Sequence, residues 1–177
     1  MLISYKIGYI PAEQKANCSR SCGNISVPFP FGLEEGCFAR KLFQLNCTNA
    51  SSSSLQFDDE HQVAYINISE GLVGIRYTSW YEQLEFKVYV PKQPDLYVGS
   101  GESSSVKWAV ANLTCLEAKQ NYSGYACVSI NSTCLGVNST DGYIGYRCQC
   151  LPGFQGNPYV QNGCEGTLSH TLSSIYI

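Results

Sequence analysis

In the stretch QLEFKVYV (83–90), Leu84, Phe86, Val88 and Val90 alternate with Glu85, Lys87 and Tyr89. Side chains two apart share one face of a strand, so this pattern predicts a strand buried on one side only. HQVAYINIS (61–69) and LVGIRY (72–77) predict two more strands. FQLNC (43–47) alternates Phe43, Leu45 and Cys47, so a strand there would carry its cysteine inward. VKWAV (106–110) sets Val106, Trp108 and Val110 on one side, which assigns Trp108 to a core. TNASSSS (48–54) has the composition of a loop. No stretch shows a sustained amphipathic helical period, and no repeat recurs at a fixed spacing. The fold class these patterns predict is mostly β and disulfide-rich: a small β domain followed by a cysteine-dense module.

Composition sharpens this picture. Hydrophobic residues make up 44% of the 177 and charged ones 14%, enough apolar content for a core. The formal net charge of −3 argues against nucleic acid as a partner, because phosphate binding needs a concentrated basic stripe. No stretch approaches the roughly 20 apolar residues of a membrane span.

The ten cysteines are Cys18, Cys22, Cys37, Cys47, Cys115, Cys127, Cys134, Cys148, Cys150 and Cys164. An even, dense set points to disulfides and an oxidising compartment. Zinc is the rival reading, but the close pairs are C-x3-C and C-x-C, and the only histidines are His61 and His170. Nine of the eleven asparagines open an N-x-S/T sequon: Asn17, Asn24, Asn46, Asn49, Asn67, Asn112, Asn121, Asn131 and Asn138. With 28 Ser and Thr in the chain, chance would supply roughly two. Glycosylation in the secretory pathway explains the excess. The start, MLISYKIGYIPAEQKA, lacks the apolar run of a signal peptide, so the leader is expected to have been lost from this sequence or left out of the gene model.

Residues 1–17 read as an unstructured lead-in, 18–114 as the first domain, 115–164 as a cysteine-dense module and 165–177 as a tail. The module holds six cysteines and few aliphatic side chains, too little apolar surface to fold without cross-links. Six cysteines allow fifteen pairings and the first four allow three. Among those three, Cys18–Cys37 with Cys22–Cys47 is preferred. Phe29-Pro30-Phe31-Gly32 reads as a rigid turn: Pro fixes φ, Gly32 permits a positive φ, and the two phenylalanines anchor the turn in the core.

Two blocks together resemble the ectodomain of plant wall-associated receptor kinases. CSRSCGNISVPFPFGLEEGCF (18–38) with FQLNC (43–47) is similar to that family's galacturonan-binding signature. YACVSINSTC and GYIGYRCQCLPGFQGNPYVQNGC, within 125–164, resemble the EGF-like module that follows it, down to the G-N-P-Y element at 156–159. The resemblance implies the pairs Cys115–Cys134, Cys127–Cys148 and Cys150–Cys164. It also implies an extracellular or cell-wall location, at the plasma membrane in full-length relatives through a span this chain lacks. The ligand it implies is pectin, a galacturonan polysaccharide. A protein–protein module that reads a peptide or co-receptor is the alternative. Full-length relatives carry an intracellular Ser/Thr kinase, but no glycine-rich phosphate loop or kinase catalytic loop stands in this sequence. The chain is therefore expected to be an ectodomain, a secreted truncated relative or an incomplete gene product, and no enzyme.

A galacturonate chain offers one carboxylate per sugar, which Arg and Lys meet best. Arg20, Arg40, Lys41 and Arg76 are the candidate cations, with Lys87 and Lys92 further along, and Trp80 is the candidate stacking ring. For each cation the plain alternative is a solvated surface charge. No cofactor is expected. The residues before Cys115, VANLTC, hold no acidic pair for calcium. His61 beside Asp58, Asp59 and Glu60 has no nucleophile motif to serve. The adjacent Asp58 and Asp59 would point apart on a strand, a poor start for a glycosidase.

Overall fold

The computed structural model describes residues 17–48, 54–57, 61–76, 105–120, 124–138 and 144–167. The strand expected at 83–90, Trp80, Lys87, Lys92, Asp58, Asp59, His170, Asn49 and Asn121 lie outside the described residues.

The chain enters through a two-strand hairpin, β1 (Ser21–Cys22) and β2 (Ile25–Ser26). The Phe29–Gly32 turn follows, with a cis Phe29–Pro30 peptide. Phe31 N–H donates to Pro28 O at 3.0 Å, Ala39 N–H to Pro30 O at 2.9 Å and Leu45 N–H to Gly32 O at 2.9 Å. Gly32 does not adopt a positive φ, contrary to the sequence expectation. Its need for glycine is one of space. A Cβ there would run into the Cys37 carbonyl and sit 2.9 Å from Phe38 N. Gly32 also bridges Gln44 in parallel. The strand expected at 43–47 accordingly starts late: Lys41–Phe43 is a short 3-10 helix, and β3 spans Asn46–Thr48.

β3 opens an antiparallel meander with β4 (Ser54–Gln56), β5 (Gln62–Asn67), β6 (Leu72–Arg76) and β7 (Ser105–Lys107), paired in chain order. The alternation decides which face is inside. Leu55, Val63, Val73 and Ile75 are buried, with Ile66 and Cys47 packed against the same core. β7 leads into Trp108, whose indole is fully buried. Phe31, Phe43 and Trp108 meet edge to face at centroid distances of 5.1, 5.2 and 5.7 Å. Each such pair contributes about 0.5–1.5 kcal/mol beyond simple burial.

Beyond Trp108, Ala109, Val110 and Ala111 are buried as well. α1 (Cys115–Gln120) is a turn and a half held by a capping box. Thr114 N–H donates to Glu117 Oε2 at 2.8 Å, and Glu117 N–H to Thr114 Oγ1 at 3.2 Å. The Thr114 N–H, together with the Thr114 hydroxyl that donates to the same oxygen at 2.8 Å, holds the Glu117 carboxyl below its usual range. β8 (Ser132–Asn138) and β9 (Ile144–Cys150) form a seven-residue hairpin, and β10 (Phe154–Gly156) pairs with β11 (Cys164–Gly166). Two tyrosine hydroxyls tie this part together. Tyr146 accepts Ala126 N–H at 3.1 Å, and Tyr159 accepts Cys148 N–H at 2.8 Å.

Five disulfides close the chain: Cys18–Cys37, Cys22–Cys47, Cys115–Cys134, Cys127–Cys148 and Cys150–Cys164. With sequence separations of 14 to 25, each is worth on the order of 3 kcal/mol by loop-closure entropy. One core runs through both cysteine groups. Tyr159 lies 5.5 Å from Trp108, and Asn157 Nδ2 donates to Phe29 O at 2.6 Å. The G-N-P-Y element is thus bonded to the proline-aromatic turn, and the two sequence signatures are halves of one contact.

Candidate binding face

The outer face of the meander is assembled by register. Gln56 pairs with Gln62 and Gln62 with Arg76, giving one row across the sheet. Tyr65 pairs with Gly74 and Gly74 with Ser105, giving the next. Asn67 pairs with Leu72 and Leu72 with Lys107, giving the third. Directly paired residues share a face, and these alternate with the buried Val73 and Ile75. Rows two residues apart lie roughly 7 Å from one another, so Arg76 and Lys107 stand at opposite ends of a face about 13 Å long.

Tyr65 occupies its centre and is 46% exposed. Its ring lies over Gly74, where a Cβ would collide with it and come within 2.8 Å of Tyr65 Cζ. One ring face therefore rests on bare backbone. Arg76 and Lys107 are both exposed, and neither forms an ion pair among the described residues.

At the Lys107 end the face runs into a cleft of about 400 Å³. Its walls are the β5–β6 turn (Glu70, Gly71), β7 with Trp108, and the β8–β9 hairpin (Val137, Asn138, Arg147). The Arg147 stem lies along Gly71, and its Nη1 donates to Ser69 O at 2.8 Å. Burial lowers the Arg147 pKa, while Tyr159 and Glu70 act in the opposite direction. The guanidinium stays charged, since Arg titrates far above neutrality. Two cations and one carboxylate thus line a cleft whose size suits a small polar ligand.

The sequence-derived candidates fall in different places. Arg76 is on this face. Arg20 is half-buried, with Nη1 enclosed and unpartnered among the described residues. Arg40 is half-buried where the 3-10 helix begins, close enough to act on the Tyr146 phenol. Lys41 is exposed beside Glu35 at 3.9 Å and lies 5.8 Å from the Phe38 ring centre. Lys107, Tyr65 and Arg147 were not among the candidates. Lys107 carried a signal, since it alternates with Val106 and Trp108 and must face outward. Of the sequons, Asn17, Asn24, Asn46, Asn112 and Asn138 are exposed, and Asn67 and Asn131 are half-buried.

The fold defines a class: a disulfide-stapled, mostly β extracellular unit, with every cysteine bonded. Among the described residues no helix is long and apolar enough to cross a membrane. Residues 18–77 match the family described as wall-associated receptor kinase galacturonan-binding. Wall-associated receptor kinase 2 of Arabidopsis thaliana is 47% identical over 58 residues, 33% of this chain and 7% of that protein. Wall-associated receptor kinase 1 is 43% identical over 67 residues, 38% of this chain and 8% of that protein. The putative wall-associated receptor kinase-like 13 is 24% identical over 106 residues, 59% of this chain and 14% of that protein. The chain thus spans a small fraction of the length of these relatives. No solved structure matches. Over residues 18–77 the chain is similar to the galacturonan-binding part of wall-associated receptor kinases.

Proposed function

We propose that this chain reads cell-wall pectin, binding galacturonan across the outer face of β5–β7, with residues 18–114 as the reader and 115–164 as an EGF-like module that supplies the far wall of the cleft. The observation that carries this reading is the placing of Arg76 and Lys107 at either end of a half-exposed Tyr65 ring. Cations at both ends meet sugar carboxylates, and the aromatic face between them accepts a pyranose ring. The chain is acidic as a whole, at −3. Attraction is therefore local, and binding is salt-sensitive and strengthened by multivalency.

Retention on immobilised oligogalacturonides of graded length, at two salt concentrations, tests the reading. Reversing both Arg76→Glu and Lys107→Glu should cut retention about tenfold or more, the equivalent of two charge contacts at ~1 kcal/mol each with added repulsion. Reversing Arg40→Glu and Lys41→Glu serves as the comparison, because those side chains sit away from the sheet rows. Retention unchanged by the first pair rejects the site.

A protein partner is the second reading. Ile130 is 80% exposed and Leu116 70%, and Leu151 N–H donates to Asn131 O, which holds Leu151 near Ile130 at the base of the β8–β9 hairpin. Exposed apolar side chains of this kind suit a peptide or co-receptor. Capture of a peptide ligand with no response to any oligogalacturonide would favour it.

A further inference from the structure

The outer face carries a sequon as well as cations. Asn67-Ile68-Ser69 closes β5, and Asn67 stands in the Lys107 row, two residues from Tyr65 on the same face. Asn67 Oδ1 accepts from Ser69 Oγ at 2.8 Å and from Glu70 N–H at 3.1 Å. Both bonds use the carbonyl oxygen. Neither uses Nδ2, the atom to which an N-linked sugar is attached. The sequon's own hydroxyl thus fixes the amide and leaves its nitrogen for modification. Tyr65 is 46% exposed on a face that is otherwise polar or small apart from Leu72, with its inner side on Gly74. Residues two apart on a strand lie roughly 7 Å from one another, within reach of a sugar ring attached to Asn67.

We propose that Asn67 carries an N-linked glycan whose first sugar lies on the Tyr65 ring, so that occupancy of this one sequon both stabilises the sheet and sets how much of the outer face an external polysaccharide reaches. The stabilising contact follows from the geometry of β5 alone. The effect on access rests on the reading of this face as the reader of galacturonan. The sugar's apolar C–H face covers aromatic carbon that otherwise meets water, and the gain belongs to the folded state only.

The test uses the whole chain secreted from plant cells, with occupancy at Asn67 measured by mass mapping. Asn67→Gln and, separately, Ser69→Ala empty the sequon through different lesions. Each is also combined with Tyr65→Thr, which keeps a strand-favouring side chain but removes the ring. The glycosylated chain should melt several degrees above both emptied variants, and that gap should vanish in the Tyr65→Thr background. Retention on oligogalacturonides should rise several-fold when the sequon is emptied. An unoccupied Asn67, or a melting gap indifferent to Tyr65→Thr, overturns the glycan contact. A gap that depends on Tyr65 with no change in retention upholds the contact and overturns the claim on access, while the assignment of this face as the reader stands or falls separately on the paired Arg76→Glu and Lys107→Glu reversal.

Discussion

Asn157 is the residue on which the two sequence signatures converge, and its replacement has a calculable cost. Its Nδ2 donates to Phe29 O at 2.6 Å and its Oδ1 accepts Tyr159 N–H at 2.9 Å. Both bonds are partly buried. Asn157→Ala removes them together and leaves a carbonyl and an amide without these partners. A net hydrogen bond is worth about 0.5–1.5 kcal/mol, and each group stranded away from water adds a penalty of about 1–3 kcal/mol. Water can reach part of this site, so the lower ends apply, and the sum is about 2–4 kcal/mol. Asn157→Asp is the informative companion. It keeps an oxygen for Tyr159 N–H but faces Phe29 O with a second acceptor, so it should destabilise at least as much at neutral pH. It should recover partly in acid, where the carboxyl regains a proton to donate. Chemical denaturation with disulfides intact, followed by tryptophan fluorescence, measures both. An Asn157→Ala change of less than about 0.5 kcal/mol, the size of an ordinary surface substitution, would refute the idea that this bond fastens the two cysteine groups together.

Other outcomes follow from single contacts. Trp108→Ala empties the centre of the aromatic cluster and should cost about 3–5 kcal/mol, seen as a large fall in secreted yield and denaturation midpoint. Gly74→Val should lift the Tyr65 ring off the sheet; oligogalacturonide retention should drop several-fold while circular dichroism stays the same. Burial pushes the Tyr146 and Tyr125 phenols up. The folded chain therefore holds protons that the unfolded chain releases above pH of about 10, and stability should fall as pH rises past that point. Tyr146→Phe should flatten this alkaline decline in urea midpoints, while lowering stability at neutral pH because Ala126 N–H loses its acceptor.

The inward face of β6 could be read directly, since Val73 and Ile75 alternate with outward residues, whereas β5 shifts register between Val63 and Tyr65 and turns the two to opposite faces. That reading reached its limit where a second partner arrives. VKWAV looks one-sided, yet Ala109 is buried too, as is Ala111 just beyond it, where the chain meets β9: Val110 N–H donates to Tyr146 O at 2.7 Å and Tyr146 N–H to Ala111 O at 3.1 Å. FQLNC looked like one strand, but the parallel bridge from Gly32 and the turn at Lys41–Phe43 claim its first half. α1 is too short to show a period, although Thr114-Cys115-Leu116-Glu117 spells a capping box. The binding face was hidden for a deeper reason. Tyr65, Arg76 and Lys107 become neighbours only through strand register, and simple alternation would even set Tyr65 on the side of the buried Val63; the irregularity between the two turns the ring outward.

All five cross-links are local, with sequence separations from 14 to 25, and among the described residues the sheet pairs β3 to β7 in chain order. The first two bridges can therefore close before the last six cysteines have been synthesised, and a ribosome feeding this chain into an oxidising lumen meets little risk of scrambled pairing between the groups. The long-range step is the docking of Asn157 on Phe29, 128 residues upstream. Assembly in chain order thus finishes with a non-covalent latch, and until it shuts the half-made chain leaves the far side of its aromatic core uncovered.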